Sequence, residues 1–343
     1  MTSEVFAQAV RSYMYVGIWM SISITVILFN KWLLAFAGFP YPISLTLWHM
    51  FFCSTVGFLC VRVFKFVSSH NLSMADYSSR VVPIGLLYAL SLWLSNSSYL
   101  YLSVSFIQMT KSLMPGLVYI CGILLKIDDF NMYQACNMLL IALGVLVCAF
   151  GEVNLHPLGL TLQLAALSFE AARLTLVQIL IKSKGIAMNP IQSLYYISPA
   201  CFVCLFVPWT QLEAGEVIPL LMKGEVEFPP VLLLVNALCA FALNLAVFLL
   251  IGKTSALTMN IAGVIKDWLL IWFSFSVFQA PVTMLNLAGY VFCCAGVAVY
   301  NYQKLQKMKK QEKGKLARKD TVDLEKNLLG KEDREYRDGK QSS

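Results

Sequence analysis

The chain has 343 residues, of which 58% are hydrophobic and 13% are charged, and its formal net charge is +7. A soluble domain cannot bury that much apolar surface, so the composition excludes this class and predicts an integral membrane protein. Half of the basic residues, 13 of 26, lie between positions 304 and 340. The rest of the chain is therefore even poorer in charge than the average suggests.

Runs of about 20 apolar residues predict ten membrane-spanning helices. They lie at roughly 13–36, 43–66, 81–102, 104–125, 133–150, 157–181, 191–211, 230–251, 255–277 and 282–302. The predicted fold class is therefore all-α, a polytopic membrane protein. Ten spans with both ends on one side suit two inverted five-helix repeats, at about 13–152 and 153–302, which together form the transporter domain 13–302.

Charge in the connecting segments predicts the orientation. Most basic loop residues fall on one side, whereas the other side carries a single lysine among several glutamates. The basic set is Arg11, Arg62, Lys65, Arg80, Lys126, Lys182, Lys184 and Lys253, and the opposite set is Lys223 with Glu152, Glu213, Glu216, Glu225 and Glu227. This asymmetry places both termini in the cytosol. Residues 1–12 are then a cytosolic N-terminus, and the hydrophilic segment 303–343 is a disordered basic cytosolic tail.

Six ionisable residues lie at membrane depth, where each charge needs a partner or a function. They are Lys31, Lys111, Glu170, Arg173, Lys266 and Asp267. Lys31 is near a helix end, so its stem can carry the ammonium to the interface or support helix packing. Glu170 and Arg173 are three residues apart on one helix face, which predicts either a self-satisfied pair or a gate.

Lys111 and Lys266 have no carboxylate three or four residues away on their own helices. Their segments, "SFIQMTKSLMP" and "TSALTMNIAGVIKDW", each have a Ser/Thr-rich start followed by the lysine, and inverted repeats would point both lysines into one central cavity. Two ammonium groups there predict an anion site for phosphate. The alternative is a buried ion pair with Asp267 or Glu170. Asp267, about 100° around the helix from Lys266, is expected to face another point and to pair with Lys111 or Arg173, or to bind sugar hydroxyls.

Aromatic and amide side chains complete the candidate site. Tyr195, Tyr196, Tyr99, Asn96 and Asn260 lie at span depth. Aromatic faces with amides can hold a nucleobase by stacking and edge hydrogen bonds. Packing in the core is the alternative function of the tyrosines.

Four stretches carry a resemblance. They are "LFNKWLLAFAGFPYPISLTLWHM", "SNSSYLYLSVSFIQMTKSLMP", "EAARLTLVQILIKSKG" and "KTSALTMNIAGVIKDWLLI". Together they resemble the triose-phosphate translocator/nucleotide-sugar transporter family of the drug/metabolite transporter superfamily, over about residues 10–305. The resemblance implies ten helices, inverted repeats, alternating access and the exchange of phosphorylated solutes for phosphate or a nucleoside monophosphate.

The Lys266-Asp267 pair is similar to the signature of the plant and algal Lys-Asp subgroup, which includes Golgi UDP-arabinofuranose transporters. Plastid members of the family carry Lys-Arg instead, and a histidine where this chain has Gln108. Lys266 also resembles the phosphate-contacting lysine of Golgi nucleotide-sugar carriers. The segment "SLYYISP" lies where those carriers read the base but departs from their pattern.

The resemblance implies an antiporter that brings a nucleotide sugar, such as UDP-arabinofuranose, into the Golgi lumen in exchange for nucleoside monophosphate. The alternative is a sugar-phosphate/phosphate exchanger. An intramembrane transferase is the rival outside transport, but the adjacent acids Asp128 and Asp129 have no companion metal-binding motif. We expect no enzyme activity, cofactor, metal or nucleic-acid partner. Lipid and a small anionic substrate are the expected partners, a homodimer is an open alternative, and the endoplasmic reticulum is the alternative location.

Overall fold

The structure is a computed structural model that describes residues 3–68, 73–184, 190–224, 231–250, 256–303 and 306. Within these ranges, side chains are not described at 3–12, 180–184, 190, 193, 247–250 and 256–261. The predicted tail at 303–343 and the side chain of Asn260 therefore lie outside the described residues, apart from positions 303 and 306 of the tail.

The described residues form helices and no β-strand. The helices are α1 Ser3–Ala35, α2 Pro42–Phe58, α3 Met74–Tyr101, α4 Val104–Leu124, α5 Met132–Gly151, α6 Pro157–Lys184, α7 Pro190–Leu212, α8 Ala214–Lys223, α9 Val231–Leu250, α10 Ala256–Phe278 and α11 Met284–Gln303. Three of these helices contain or continue into a short segment of π-helix or 3-10 helix. A π-helical turn, Leu59–Val63, extends α2, another occupies Tyr77–Val81 in α3, and a 3-10 turn occupies Lys111–Leu113 in α4.

The all-α membrane-spanning class is confirmed. By length and apolar composition, seven helices among the described residues could cross a membrane, or eight if α7 and α8 form one bent span. α9 adds a shorter apolar stretch at Val231–Ala246. Length and composition do not test the predicted inverted arrangement of ten spans, which stays a prediction.

Two boundaries differ from the sequence prediction. α1 begins at Ser3 rather than at residue 13, and its 33 residues measure about 50 Å at 1.5 Å per residue, which exceeds a hydrocarbon layer of about 30 Å. The predicted luminal loop after α7 contains the helix α8, which turns 84° away from α7. Hydropathy missed α8 because ten amphipathic residues are too short to span a membrane.

Glu213 lies at this bend and ties it to the start of α2. One carboxylate oxygen accepts the backbone N–H of Ile43 at 2.9 Å, and the other accepts the N–H of Ser44 at 2.7 Å. These are free donors of the first turn of α2, where the helix dipole also favours a negative charge. Sequence reasoning placed Glu213 in a loop, but the structure buries it as a capping group.

Residues Met1–Val297 form one compact unit. In the second unit, Ala298–Ser343, the described residues are the last turn of α11 and Gln306. One apolar core of the first unit includes Leu33, Phe106, Leu270 and Tyr290, and another joins α2, α3 and α7.

Candidate anion site

Lys111 begins the 3-10 turn that interrupts α4, just before Pro115. Proline cannot donate an N–H, so the regular α-helical hydrogen-bond pattern changes here. Lys111 lines a cavity of about 390 Å³ between α3, α4 and α6. The other lining residues are Tyr88, Ser91, Leu92, Ser95, Met114, Ala166, Leu167, Glu170 and Arg173. A cavity of this size with a charged wall is a binding site for a small polar ligand.

Glu170 and Arg173 form a two-pronged ion pair on α6, in contact with α3 residues of the same cavity. The arginine Nε donates to one carboxylate oxygen at 2.8 Å and Nη2 donates to the other at 2.5 Å. The guanidinium carbon lies 4.6 Å from the ring centre of Tyr88. The hydroxyl of Ser91 donates to Glu170 at 3.2 Å. The predicted pairing on one helix face is thus present, and Lys111 is the third charged residue that lines this cavity.

Lys266 and Asp267 make contact with each other, as in the ion pair that was the alternative to an anion site. The ammonium nitrogen lies 3.2 Å from a carboxylate oxygen of Asp267 and 5.8 Å from the ring centre of Trp19. Adjacent Cα–Cβ bonds diverge by about 100°, but the long, flexible lysine stem swings back to the neighbouring carboxylate. The prediction that these side chains face different points was wrong.

Asp267 also attracts Lys111, which therefore has two carboxylates, Asp267 and Glu170, within electrostatic reach. However, Lys266 is not among the residues that line the 390 Å³ cavity. The common cavity for both lysines therefore stays a prediction.

Gln108, three residues before Lys111, has a buried side-chain amide without hydrogen-bond partners. It lies on α4, one turn before Lys111, and is 1% exposed. Neither its amide nitrogen nor its carbonyl oxygen has a hydrogen-bond partner. An unpaired buried amide costs free energy, so a ligand that supplies partners would recover it.

Other predicted residues have structural contacts. The amide of Asn96 donates to the hydroxyl of Thr46 at 2.9 Å. Tyr99 is buried in the core around Leu33. Lys31 donates to the carbonyl oxygens of Tyr99 at 2.5 Å and Leu102 at 3.0 Å. It therefore satisfies carbonyls that the end of α3 leaves free, as a cation at a helix C-terminus does.

Tyr195 and Tyr196 lie away from the Lys111 cavity, near the end of α2. The guanidinium Nε of Arg62 donates to the hydroxyl of Tyr195 at 2.8 Å. Tyr196 is buried in the core of α2, α3 and α7, and its carbonyl accepts from the hydroxyl of Tyr77 at 2.9 Å. Neither tyrosine lines the 390 Å³ cavity, so their predicted grouping with Lys111 stays a prediction.

Glu152 was read from the sequence only as a loop charge, yet it is buried beside a second, smaller cavity. This cavity measures about 250 Å³ and includes Lys31, Ser103 and Asn154. Burial raises the pKa of Glu152, against the opposing effect of the hydrogen bond from Ser103. Its position just after the apolar run of α5 was the available signal for burial.

Buried charges around cavities, on helices that can cross a membrane, are typical of membrane transport proteins. Residues 10–301 match the sequence profile of the Triose-phosphate Transporter family. The chain belongs to this family. No group of three or more His, Cys, Asp or Glu residues in the described ranges could hold a metal ion.

Three plant relatives illustrate the similarity, all from Arabidopsis thaliana. A probable sugar phosphate/phosphate translocator is 51% identical over 342 residues, which cover 99% of this chain and 96% of the relative. A second translocator of the same description is 42% identical over 300 residues, 86% of this chain and 87% of the relative. UDP-uronic acid transporter 1 is 30% identical over 290 residues, 83% of this chain and 93% of the relative.

Proposed function

We propose that this protein exchanges a sugar phosphate for inorganic phosphate across a membrane. The observation that carries the proposal is the 51% identity to a probable sugar phosphate/phosphate translocator over nearly the full length of both chains. The nucleotide-sugar antiporter expected from the Lys266-Asp267 signature becomes the second candidate. Both functions need a site for a phosphate group, and they differ in the bulk that the rest of the site must hold.

Lys111 and Lys266 are the proposed phosphate-binding groups. Asp267 pairs with Lys266 and attracts Lys111, so the three residues together carry a formal charge of +1. A phosphate dianion would compete with Asp267 for Lys266 and approach Lys111 from the cavity. The release of phosphate would return Lys266 to Asp267. The carboxylate would thus keep Lys266 paired between substrates, when an isolated charge at membrane depth is costly.

The dimensions of the Lys111 cavity support a compact substrate. At about 390 Å³, it lies toward the lower end of the range of about 300–1,000 Å³ for small-molecule pockets. A sugar monophosphate is much smaller than a nucleotide sugar. In this proposal, the free amide of Gln108 binds a sugar hydroxyl or a phosphate oxygen, and the Glu170–Arg173 pair forms the wall or gate beside it.

Helix packing supports the inverted five-helix repeats. A twofold axis between the repeats would relate each helix of the first half to one of the second. The corresponding pairs are α1 and α6, α2 and α7, α3 and α9, and α4 and α10. The contact of α3 with α6 then maps onto that of α9 with α1, and α3 with α7 maps onto α9 with α2. The contacts of α2 with α7 and α4 with α10 map onto themselves. Such an axis supports alternating access around a central site.

Nucleotide-sugar antiport keeps two supports. UDP-uronic acid transporter 1 is a relative at 30% identity, and Asp267 stands where plastid members of the family carry arginine. The base contacts suggested for Tyr195, Tyr196, Asn96, Tyr99 and Asn260 belong to this second candidate. For the antiporter, the proposed location is the Golgi membrane. The proposed cytosolic position of both termini is based on the loop charges and applies to both candidates.

Reconstituted vesicles distinguish the two candidates. Proteoliposomes preloaded with phosphate or with UMP would receive labelled triose or hexose phosphates, or a labelled UDP-sugar. We expect uptake of a sugar phosphate that requires internal phosphate. Uptake of the UDP-sugar against UMP, without sugar-phosphate uptake, would replace the exchanger with the antiporter.

Matched lysine variants link the activity to the site. Lys111→Gln should weaken substrate binding by about 1.5–3 kcal/mol, the range for a hydrogen bond to a charged group. Lys126→Gln removes an exposed lysine after the same helix and should leave uptake unchanged. Equal effects of both variants would indicate a general charge effect rather than a phosphate contact.

A further inference from the structure

A third cavity lies between α2, α7, α8 and α9, and it shares no lining residue with the cavity of Lys111. Its volume is about 560 Å³. The lining residues are Phe39, Ser44, Leu45, Leu47, Trp48, Trp209, Val217, Leu221, Val231, Leu233 and Leu234. They come from the start of α2, the end of α7 and the start of α9, so the cavity lies at one end of these helices. In the proposed orientation, this end is in the non-cytosolic leaflet.

The polar groups in this wall already have partners inside the protein. The indole N–H of Trp209 donates to the hydroxyl of Ser44 at 2.8 Å, and that hydroxyl donates to Glu213 at 2.6 Å. The indole N–H of Trp48 donates to the carbonyl of Leu233 at 2.9 Å. A water molecule needs two to four polar partners to be held in a cavity. This cavity offers it none of these donors, so a bound molecule must be apolar.

The cavity opens on a surface of large aliphatic side chains. Leu234 is 41% exposed and Val231 is 58% exposed. Among helices that cross a membrane, such side chains face lipid. The volume is several times the roughly 150 Å³ of an engineered apolar cavity that binds benzene. α8, which turns 84° from α7, supplies Val217 and Leu221 as the wall at the end of the cavity.

We propose that this cavity binds one acyl chain of a membrane lipid that enters laterally from the surrounding leaflet. The hydrocarbon chain matches a wall without free hydrogen-bonding groups. The amphipathic helix α8 lies where an interfacial helix would meet lipid headgroups and acyl chains. The site is independent of the substrate, because none of its lining residues lines the cavity of Lys111.

The test uses the full chain in nanodiscs that contain a phosphatidylcholine with a diazirine at mid-chain. After irradiation, mass spectrometry compares labelling at Leu221, Val231 and Leu234 with labelling at Leu139 and Leu143, which are exposed on α5. We expect preferential labelling at the cavity. Equal labelling at both places would mean only the general lipid shell and would overturn the proposal.

Filling the cavity gives the second arm. Val217→Trp should lower labelling of the cavity about tenfold, which corresponds to about 1.4 kcal/mol of binding free energy. Leu234→Phe is the milder variant at the opening, and Leu139→Phe is the matched enlargement on α5. Cavity labelling that persists in both filling variants would overturn the proposal. Protection of the cavity only in a cross-linked dimer would assign it to a second copy of the chain instead.

Discussion

Lys266 and Asp267 show how adjacent charges are tolerated at membrane depth. Their side chains form an ion pair at 3.2 Å and are only partly exposed. Asp267 attracts Lys111 as well. The sequence identified all three residues as candidates because charges are rare within apolar runs. An ion pair with Asp267 was one of two alternatives, and the sequence could not decide between them because lysine rotamers depend on the surrounding helices.

A double substitution distinguishes a phosphate contact from a structural pair. Lys266→Ala should weaken phosphate binding by about 1.5–3 kcal/mol, or roughly ten- to a hundredfold. It should also lower Tm, because Asp267 loses a partner. Lys266→Ala/Asp267→Ala should recover Tm but not binding. Thermal unfolding with and without phosphate measures both properties. Recovery of binding in the double variant would contradict the anion-site proposal.

Glu152 makes the stability of the protein depend on pH. Burial raises its pKa above the ordinary value of about 4.5, so the folded protein favours the protonated form. Its contribution to stability is present at low pH and is lost as pH rises through the raised pKa. We expect Glu152→Gln to remove this loss and to be more stable than the wild type at neutral pH. The measurement is the difference in Tm between the two proteins from about pH 4 to about pH 8, a range that begins near the ordinary pKa of glutamate.

The hydroxyl of Ser103 provides a check on this cause. Its hydrogen bond to Glu152, at 3.0 Å, opposes the rise in pKa. Ser103→Ala should therefore move the loss of stability to higher pH. Ser103 also accepts the N–H of Phe106 at the start of α4, so this variant should lose about 1 kcal/mol at every pH as well. An unchanged midpoint would assign the pH dependence to another group.

At the scale of the helices, α5 and α11 approach closely because glycines face each other. A Cβ atom on Gly289 would lie 2.7 Å from the carbonyl oxygen of Gly144 and 2.7 Å from the backbone nitrogen of Cys148. Both contacts are with the backbone, which cannot rotate away. Small residues allow membrane helices to pack in this way. Hydropathy located both helices, but their contact could not be read from one sequence.

We expect Gly289→Ala to destabilise the protein by about 1–3 kcal/mol, the usual range for overpacking. Gly263→Ala is the matched control, since no atom lies within 4 Å of its added Cβ. This control should be neutral, or more stable by up to about 1 kcal/mol, because alanine is the better helix former. Thermal unfolding in detergent compares the two. Similar losses in both variants would rule out a specific contact between α5 and α11.

The hydropathy pattern predicted only the first of the two helices that meet at the α7–α8 bend. The apolar run of α7 predicted a helix, and its end was placed within one residue of Leu212. The following helix was missed because its apolar residues serve an interface rather than a span. Glu213 was counted as a luminal charge. Its capping partner Ser44 at the start of α2 is 169 residues away along the chain. Long-range caps of this kind need the tertiary structure.

For the whole molecule, the distribution of charge predicts the orientation in the membrane. The segment that contains α8 has glutamates and a single lysine, whereas the end of the chain is strongly basic. The excess of Lys and Arg favours the cytosolic side. This prediction depends on composition alone, and packing within Met1–Val297 would be the same in either orientation.

A membrane-impermeant maleimide tests the orientation directly. Gly215→Cys places a thiol at an exposed position of α8 with no atom within 4 Å of its Cβ. Ser342→Cys places one near the C-terminus. In sealed vesicles with the cytosolic face outward, Ser342→Cys should react above the wild-type level at once. Gly215→Cys should react only after detergent opens the vesicles, because the lumen excludes the reagent. Immediate reaction of Gly215→Cys, with Ser342→Cys protected until detergent is added, would reverse the orientation. Such a result would also move the acyl-chain cavity to the cytosolic leaflet, but it would leave the chemistry of both cavities unchanged, since neither depends on which compartment lies outside.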